Sequence, residues 1–320
     1  MRKLLIKIGI LFLLSTSLLE VILYFESRSK NYISLVSHEM NVKLCAERLD
    51  TMKNEPKIII IGGSGCGFGI DSRVISSYFN MPVVNTGTHA SIGLRLQMEM
   101  FKKYVSDGDI VVAIPEYSQY TNMFYLGGDA TVLRILNLYP EGYSSCPLWQ
   151  RLYISQYIPQ YYEEARATAP MTPDDSPYSI MALNEFGDVT AYEERKTGKV
   201  FKAYGELKQY NPLVKNFILG YKKYTESRGA CFVLLPPALS YSSYCNSIEF
   251  IDRLYDRYNH KGEQMFSDKP SACTLPDSLY YDTPYHLTSQ GVAIRTNQLV
   301  NQIEVALLQK NKSFKPTSLR

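Results

Sequence analysis

The amino-acid sequence predicts an α/β protein in which a central parallel sheet lies between two layers of helices, a three-layer α/β/α sandwich of the flavodoxin-like kind. Two observations predict this class. Short apolar runs, such as the isoleucines within residues 57–61, are bounded by glycine or proline, as in strands buried on both faces. Segments with helical periodicity separate these runs, and such βαβ units place their strands in parallel. With 320 residues, of which 45% are apolar, the chain can bury one substantial core.

Strand and helix signals alternate after residue 56. The first strand, at 57–61, precedes a helix at 71–78, for which Asp71 is a suitable N-cap. Further strands are predicted at 82–85, 110–114 and 230–235, and further helices at about 91–105, 212–227 and 288–308. Residues 121 to about 205 interrupt this alternation with tyrosine, proline, glycine and acidic residues. We interpret them as an insertion that either covers the ligand crevice at the sheet edge or serves only as structure.

The N-terminus predicts membrane attachment and export. Arg2, Lys3 and Lys7 precede an apolar stretch that reaches Phe25 and is interrupted by Glu20, a marginal length for a bilayer core of about 20 residues. We predict an uncleaved single-pass transmembrane anchor at 1–30, with a cleaved signal peptide as the alternative. A helical connector at 31–55, an α/β domain at 56–310 and a tail at 311–320 follow. The domain is then extracytoplasmic, in the periplasm or at the cell surface of a bacterium.

Composition limits the possible partners. Lysine and arginine number 34 against 31 acidic residues, so no electrostatic argument favours nucleic acid. The histidines do not cluster with cysteines at the spacing of metal ligands, and we predict neither a metal nor a cofactor. Export permits disulfides, and among the six cysteines Cys245 and Cys273, in a C-terminal third that looks rich in loops, are candidates to pair.

Ser64 is the best candidate for a nucleophile. It follows the first strand within Gly62-Gly63-Ser64-Gly65, where glycines permit a tight turn and a close approach of the substrate. Backbone N–H groups in such a turn can stabilise an oxyanion, as at a nucleophile elbow. The glycines match neither the dinucleotide nor the P-loop pattern, and a plain glycine-rich loop is the structural alternative.

A serine nucleophile needs a base and a group that orients the base. Asp282-Thr283-Pro284-Tyr285-His286 supplies both immediately before the final helix. We predict that His286 takes the proton of Ser64 and that Asp282 holds its tautomer. Asp277 is a less suitable orienting group, since it lies nine residues from His286.

Residues 56–308 resemble the SGNH (GDSL-like) hydrolase superfamily, and within it the membrane-anchored branch of teichoic-acid D-alanyl-transfer and alginate acetylation proteins. The resemblance rests on Ser64 after the first strand, Gly87 in Asn85-Thr86-Gly87 after the second, and the late Asp282 and His286. It implies a catalytic triad and an oxyanion donor at Gly87. Its implied substrate is an acyl ester of a surface glycan.

Three features depart from the superfamily pattern, and one of them is the spacing of four residues between Asp282 and His286, where three is usual. Gly63 stands where the usual Gly-Asp-Ser has aspartate, and Glu116, in Pro115-Glu116-Tyr117, stands where an asparagine would donate to the oxyanion. Asn85, His89 and Glu116 are the polar candidates for oxyanion or substrate binding. Cys66, two residues beyond Ser64, is interpreted as a wall of the site rather than the nucleophile.

These features predict an envelope-anchored serine esterase or O-acyltransferase with a surface glycan or another acyl carrier as its substrate. Its further partners are expected among the envelope-polysaccharide machinery. The alternative is a non-catalytic glycan-binding or assembly protein with the same fold. The departures at positions 63 and 116 are the reason to keep that alternative.

Overall fold

The computed structural model describes residues 2–30, 35–53, 55–167, 172–190, 202–260 and 265–310. The tail predicted at 311–320 and parts of the predicted connector and insertion lie outside these ranges. The helices are α1 (Arg2–Lys30), α2 (Asn41–Thr51), α3 (Ser64–Gly67), α4 (Ser72–Phe79), α5 (Leu94–Phe101), α6 (Thr131–Leu138), α7 (Leu148–Ile154), α8 (Ile158–Ala167), α9 (Pro212–Ser227), α10 (Tyr241–Tyr258) and α11 (Ser289–Lys310). The strands are β1 (Ile58–Gly62), β2 (Val83–Asn85), β3 (Ile110–Ile114), β4 (Cys231–Leu234), β5 (Leu239–Ser240) and β6 (Thr274–Leu275).

The central sheet contains four parallel strands in the order β2-β1-β3-β4. Ile59 of β1 pairs with Val84 on one side and with Val111 on the other. All five residues of β1 and of β3 are buried, as the continuous apolar runs predict for strands covered on both faces. The parallel order brings the C-terminal ends of β1, β2 and β3 to one edge, where the candidate site lies.

Helices cover both faces of this sheet. Ile58 and Ile60 point into one core with Ile75 of α4 and Leu299 of α11, while Ile59 and its neighbours on the other face pack with α2, α5, α9 and α10. The two cores follow from the two-residue period of strand side chains. The predicted mixed α/β fold with a parallel sheet is confirmed, and the packing is compatible with an α/β sandwich.

Two parts of the predicted element order need correction. The helix predicted at 91–105 is divided into 3₁₀ turns and α5, because Gly93 has a φ of +85° and a side chain there would meet the backbone of Leu126 and Gly127. The C-terminal third is less rich in loops than predicted, since α10 has 18 residues. Its apolar side chains are spaced for one buried face, although no strand or glycine signal marks its start.

The insertion at 121–205 contains regular structure, including α6, α7 and α8. Arg134 of α6 forms an ion pair of 2.7 Å with Glu39 of the connector, and both side chains are largely buried. The insertion therefore packs against the segment that precedes the α/β domain.

The predicted transmembrane anchor falls on α1. Within the residues that the structure describes, no helix is both long and apolar enough to cross a bilayer. Cys245 is exposed on α10 and Cys273 is buried, and the two do not form a disulfide in this structure.

Candidate active site

Ser64 is the first residue of α3 and follows β1 after a single glycine, Gly63. The turn leaves no room for a side chain at Gly62. A Cβ there would overlap the thiol of Cys66 and lie 2.7 Å from the carbonyl oxygen of Ile114. The serine is only partly buried. Among the described residues, no group accepts a hydrogen bond from the Ser64 N–H, which leaves this donor for a ligand.

Glu116 contacts the serine directly. The Ser64 hydroxyl donates to Glu116 Oε1 at 3.4 Å, and the Gly65 N–H donates to the same oxygen at 3.1 Å. Glu116 follows β3 and is only 4% exposed. Burial raises the pKa of Glu116 to about 7, although the hydrogen bonds from Gly65 and Ser64 oppose the shift. This carboxyl therefore exchanges its proton near neutral pH.

The predicted Asp282 and His286 pair is present in the structure. His286 Nδ1 lies 2.9 Å from Asp282 Oδ1, and the histidine is 5% exposed. Burial alone would raise the pKa of Asp282, but hydrogen bonds from His286 and Tyr178 outweigh it and hold the pKa below its usual value. An ionised Asp282 can only accept, so Nδ1 carries a proton and the lone pair of neutral His286 lies on Nε2.

Tyr178 is a site residue that the sequence did not reveal. Its hydroxyl donates to Asp282 Oδ2 and lies 3.1 Å from His286 Nδ1. The residue comes from the insertion, where nothing in the surrounding sequence pattern distinguishes it from the other tyrosines. Its position favours the first of the two interpretations of the insertion, in which these residues cover the crevice, over a structural role alone.

Phe68 connects the histidine to the serine turn. Its ring stacks on His286 with 4.1 Å between centroids and 11° between planes. Its backbone N–H donates to the carbonyl of Ser64 at 2.8 Å. A Cβ at Gly65 would lie 3.4 Å from the Cβ of Tyr285, so the 282–286 loop also packs on the turn itself. Phe68 thus links the Asp282 and His286 pair to the turn of Ser64, while the serine hydroxyl itself bonds to Glu116 and not to the histidine.

The second-strand residues have structural partners. The Gly87 N–H donates to Asn85 Oδ1 at 3.0 Å, whereas the prediction gave this donor to an oxyanion. Asn85 is fully buried and donates to Asp188 at 2.8 Å and to the carbonyl of Cys66 at 3.0 Å. In this structure the Asn85 side chain therefore holds the turn through the carbonyl of Cys66. The Gly87 N–H would have to break its hydrogen bond to Asn85 before it could donate to a substrate.

His38 and His89 place two further imidazole rings near the Asp282 and His286 pair. Their ring centroids are 6.3 Å apart, and the His38 ring packs against Phe68 and Tyr178, the two rings that also contact His286. His89 Nδ1 and His38 Nε2 are buried atoms without a hydrogen-bond partner in the described parts of the chain. Burial lowers the pKa of His38 to about 4, so this histidine is neutral at physiological pH. His38 lies in the connector, and the sequence did not single it out for the site.

Cys66 and Asp277, the two remaining candidates, have other roles. Cys66 is buried against the carbonyl of Ile114, and burial raises the pKa of its thiol, which suits a wall and not a nucleophile. Asp277 accepts from the N–H of Ser242 at 3.0 Å, away from His286. No group of three histidine, cysteine or acidic side chains in the described ranges is arranged to hold a metal ion.

Comparison with known protein families and with curated protein sequences finds no match to this chain. Any functional conclusion therefore rests on the geometry around Ser64.

Proposed function

We propose that the protein is a serine esterase or O-acyltransferase of the SGNH type that acts on acyl esters of cell-surface glycans. One observation carries the proposal. The Asp282 and His286 pair, with 2.9 Å between the carboxylate and Nδ1, packs through Phe68 on the turn that presents Ser64. In the proposed site, the C-terminal edge of the sheet carries the nucleophile Ser64, the base His286 and the orienting group Asp282. Acyl transfer by a serine requires these three roles.

In the proposed reaction, Ser64 Oγ attacks the ester carbonyl carbon while His286 Nε2 takes the hydroxyl proton. Ser64 first gives up its hydrogen bond to Glu116 and rotates toward the base. The tetrahedral intermediate then breaks its bond to the leaving alcohol, which receives the proton from His286. Water or a sugar hydroxyl next attacks the acyl-serine, and its proton passes through His286 back to Ser64.

The oxyanion would be stabilised by the free N–H of Ser64 and by the protonated carboxyl of Glu116. Glu116 stands where the superfamily has an asparagine donor, and a buried carboxyl that keeps its proton can donate in the same way. Below a pH of about 7 Glu116 is protonated and able to donate. Above that pH its carboxylate repels an oxyanion and accepts hydrogen bonds from Gly65 and Ser64.

The acyl acceptor and the location of the enzyme belong to the proposal. Tyr178 of the insertion packs beside the base, and insertion residues that exclude water would favour a sugar hydroxyl over water as acceptor. The basic, apolar N-terminus supports attachment at the membrane, with the α/β domain outside the cytoplasm and close to polymeric or lipid-linked substrates.

The direct test measures hydrolysis of p-nitrophenyl acetate by the purified chain and by Ser64→Ala and His286→Ala. Each variant should lose at least about a thousandfold in kcat/KM, because each group is needed in the same step. Cys66→Ser is the matched control within the turn and should retain activity. Hydrolysis that persists in Ser64→Ala would reject the assignment.

A non-catalytic glycan-binding or assembly protein is the second candidate. The observation in its favour is the hydrogen bond of the Ser64 hydroxyl to Glu116, together with the Gly87 N–H that Asn85 already occupies. A fluorophosphonate probe separates the two candidates, because it reacts covalently only with an activated serine. Labelling of Ser64 supports the enzyme, and glycan binding without labelling supports the binding protein.

A further inference from the structure

Helix α7 carries an exposed apolar face. Leu148, Trp149 and Leu152 are 63%, 48% and 43% exposed. The guanidinium of Arg95 lies 5.1 Å from the centroid of the Trp149 ring, which contributes a cation–π contact on the protein side. Three large apolar side chains within two helical turns are more than the scattered single exposures of an ordinary soluble surface.

Between Ile8 and Leu14, helix α1 exposes apolar side chains around its whole circumference. From Leu4 to Leu18, every large apolar side chain is more than half exposed. Consecutive residues such as Leu4, Leu5 and Ile6 point in different directions at 3.6 residues per turn. A partner helix or a second copy of the chain would cover one stripe of such a helix, whereas acyl chains surround it on all free sides.

The apolar faces of α1 and α7 line opposite sides of one cavity. A cavity of about 560 Å³ separates α1 from the insertion helices, and apolar side chains dominate its lining. Leu13 and Val21 of α1 line it, and Leu148 and Leu152 of α7 line it from the opposite side. The two helices therefore present one continuous apolar surface with a gap between them of the size and character that an acyl chain fills.

We propose that α1 and α7 together bind a lipid bilayer, with Leu148, Trp149 and Leu152 inserted at the boundary between headgroups and acyl chains. Trp149 suits this depth because an indole has an apolar body and a polar N–H. Arg2, Lys3 and Lys7 at the start of α1 add attraction for anionic headgroups. The proposal concerns the orientation of the domain on the membrane and does not depend on the chemistry of Ser64.

Trp149 also makes the test direct, because it is the only tryptophan of the chain. The full-length protein is mixed with vesicles of phosphatidylglycerol and phosphatidylcholine, with and without lipids brominated on their acyl chains. We expect the emission to shift to shorter wavelength on binding and to be quenched by the brominated lipids. A chain that sediments with vesicles while Trp149 stays unquenched would overturn the proposal, since α7 would then lie outside the lipid.

A variant pair measures what α7 contributes. Leu148→Asp combined with Leu152→Asp should weaken partition into vesicles at least about tenfold, because the apolar surface of two leucines is no longer transferred from water to lipid. Ile248→Asp on α10 is the matched control, since Ile248 is 41% exposed against 43% for Leu152, and it should bind as the unmodified chain does. Circular dichroism verifies folding of each variant. Equal partition of the double variant and the control contradicts the proposal.

A second copy of the chain is the competing occupant. If it covered α7, Trp149 emission would shift with protein concentration in the absence of vesicles, and sedimentation would show a dimer under the same conditions. That result would overturn the lipid assignment.

Discussion

Glu116 occupies the space that a side chain at Gly63 would need. A Cβ at position 63 would overlap Glu116 Oε1 and lie 2.8 Å from its Cδ. The departures from the superfamily pattern at positions 63 and 116 are thus related, because both concern the same space beside Ser64. A carboxyl group is present beside Ser64, but it comes from the end of β3 and not from the residue before the serine.

This relationship predicts that Gly63→Asp and Glu116→Asn are coupled. Gly63→Asp alone should lower kcat/KM by about tenfold or more, because two carboxyl groups compete for one buried space. Adding Glu116→Asn should restore much of the loss by making room and supplying an amide donor. Ester hydrolysis by the two single variants and the double variant completes the cycle, and strictly additive effects would show that the positions are independent.

Glu116 should also set the alkaline limit of activity. Its pKa is raised to about 7, so the protonated form that donates is present below that pH and is lost above it. If the unmodified chain hydrolyses esters as proposed, its kcat/KM should fall about tenfold per pH unit above 7. Glu116→Gln keeps a donor that cannot ionise and should abolish this decline.

The titratable groups that face Glu116 do not contribute to the pH profile near 7. Burial raises the pKa of Tyr204 to about 12, and it also raises those of Cys66 and Tyr285, so none of them titrates near neutral pH. Identical profiles for Glu116→Gln and the unmodified enzyme would remove Glu116 from the oxyanion site.

Tyr178 should act as a positioning residue for the base. Tyr178→Phe removes hydrogen bonds to Asp282 and His286 but keeps the ring, whose centroid lies 5.1 Å from that of Phe68. We expect kcat to fall about tenfold with little change in KM, because one charge-assisted hydrogen bond contributes about 1.5 kcal/mol or more. Thermal unfolding is the control. An unchanged kcat, or a change in KM alone, would contradict the positioning role.

His38 should make the fold sensitive to acid. Its pKa is about 4 in the folded chain and 6.5 when unperturbed, so the unfolded chain binds the proton first as the pH falls. Lowering the pH from 7 to 5 should therefore cost the folded state roughly 2 kcal/mol through this residue. The free energy of unfolding, measured by urea denaturation at pH 7 and at pH 5, should therefore fall by roughly 2 kcal/mol less in His38→Gln than in the unmodified chain.

The exposed His260 provides the control for this experiment. His260→Gln should retain the acid sensitivity of the unmodified chain. If His38→Gln loses stability in parallel with His260→Gln between pH 7 and 5, His38 is not the group responsible.

The sequence by itself determined the class of fold and the positions of the central strands along the chain. Runs such as β1 and β3 are apolar without alternation, and only strands buried on both faces accept that pattern, so their positions follow from local composition. Ser64, Asp282 and His286 were also recognisable as candidates, because the serine follows β1 and the acid and the base lie together in the loop before α11. The helix α10 and the division of the helix around Gly93 were missed, since tertiary packing overrides weak local signals there.

Only the tertiary structure decided what surrounds the serine. Tyr178, His38 and Glu116 come from the insertion, the connector and the end of β3, and their approach to the site depends on how distant segments pack. The pKa of Glu116 depends in the same way on burial, which no local pattern of residues encodes. The sequence therefore identifies the residues able to react, whereas the long-range packing determines which donors, charges and protons they meet.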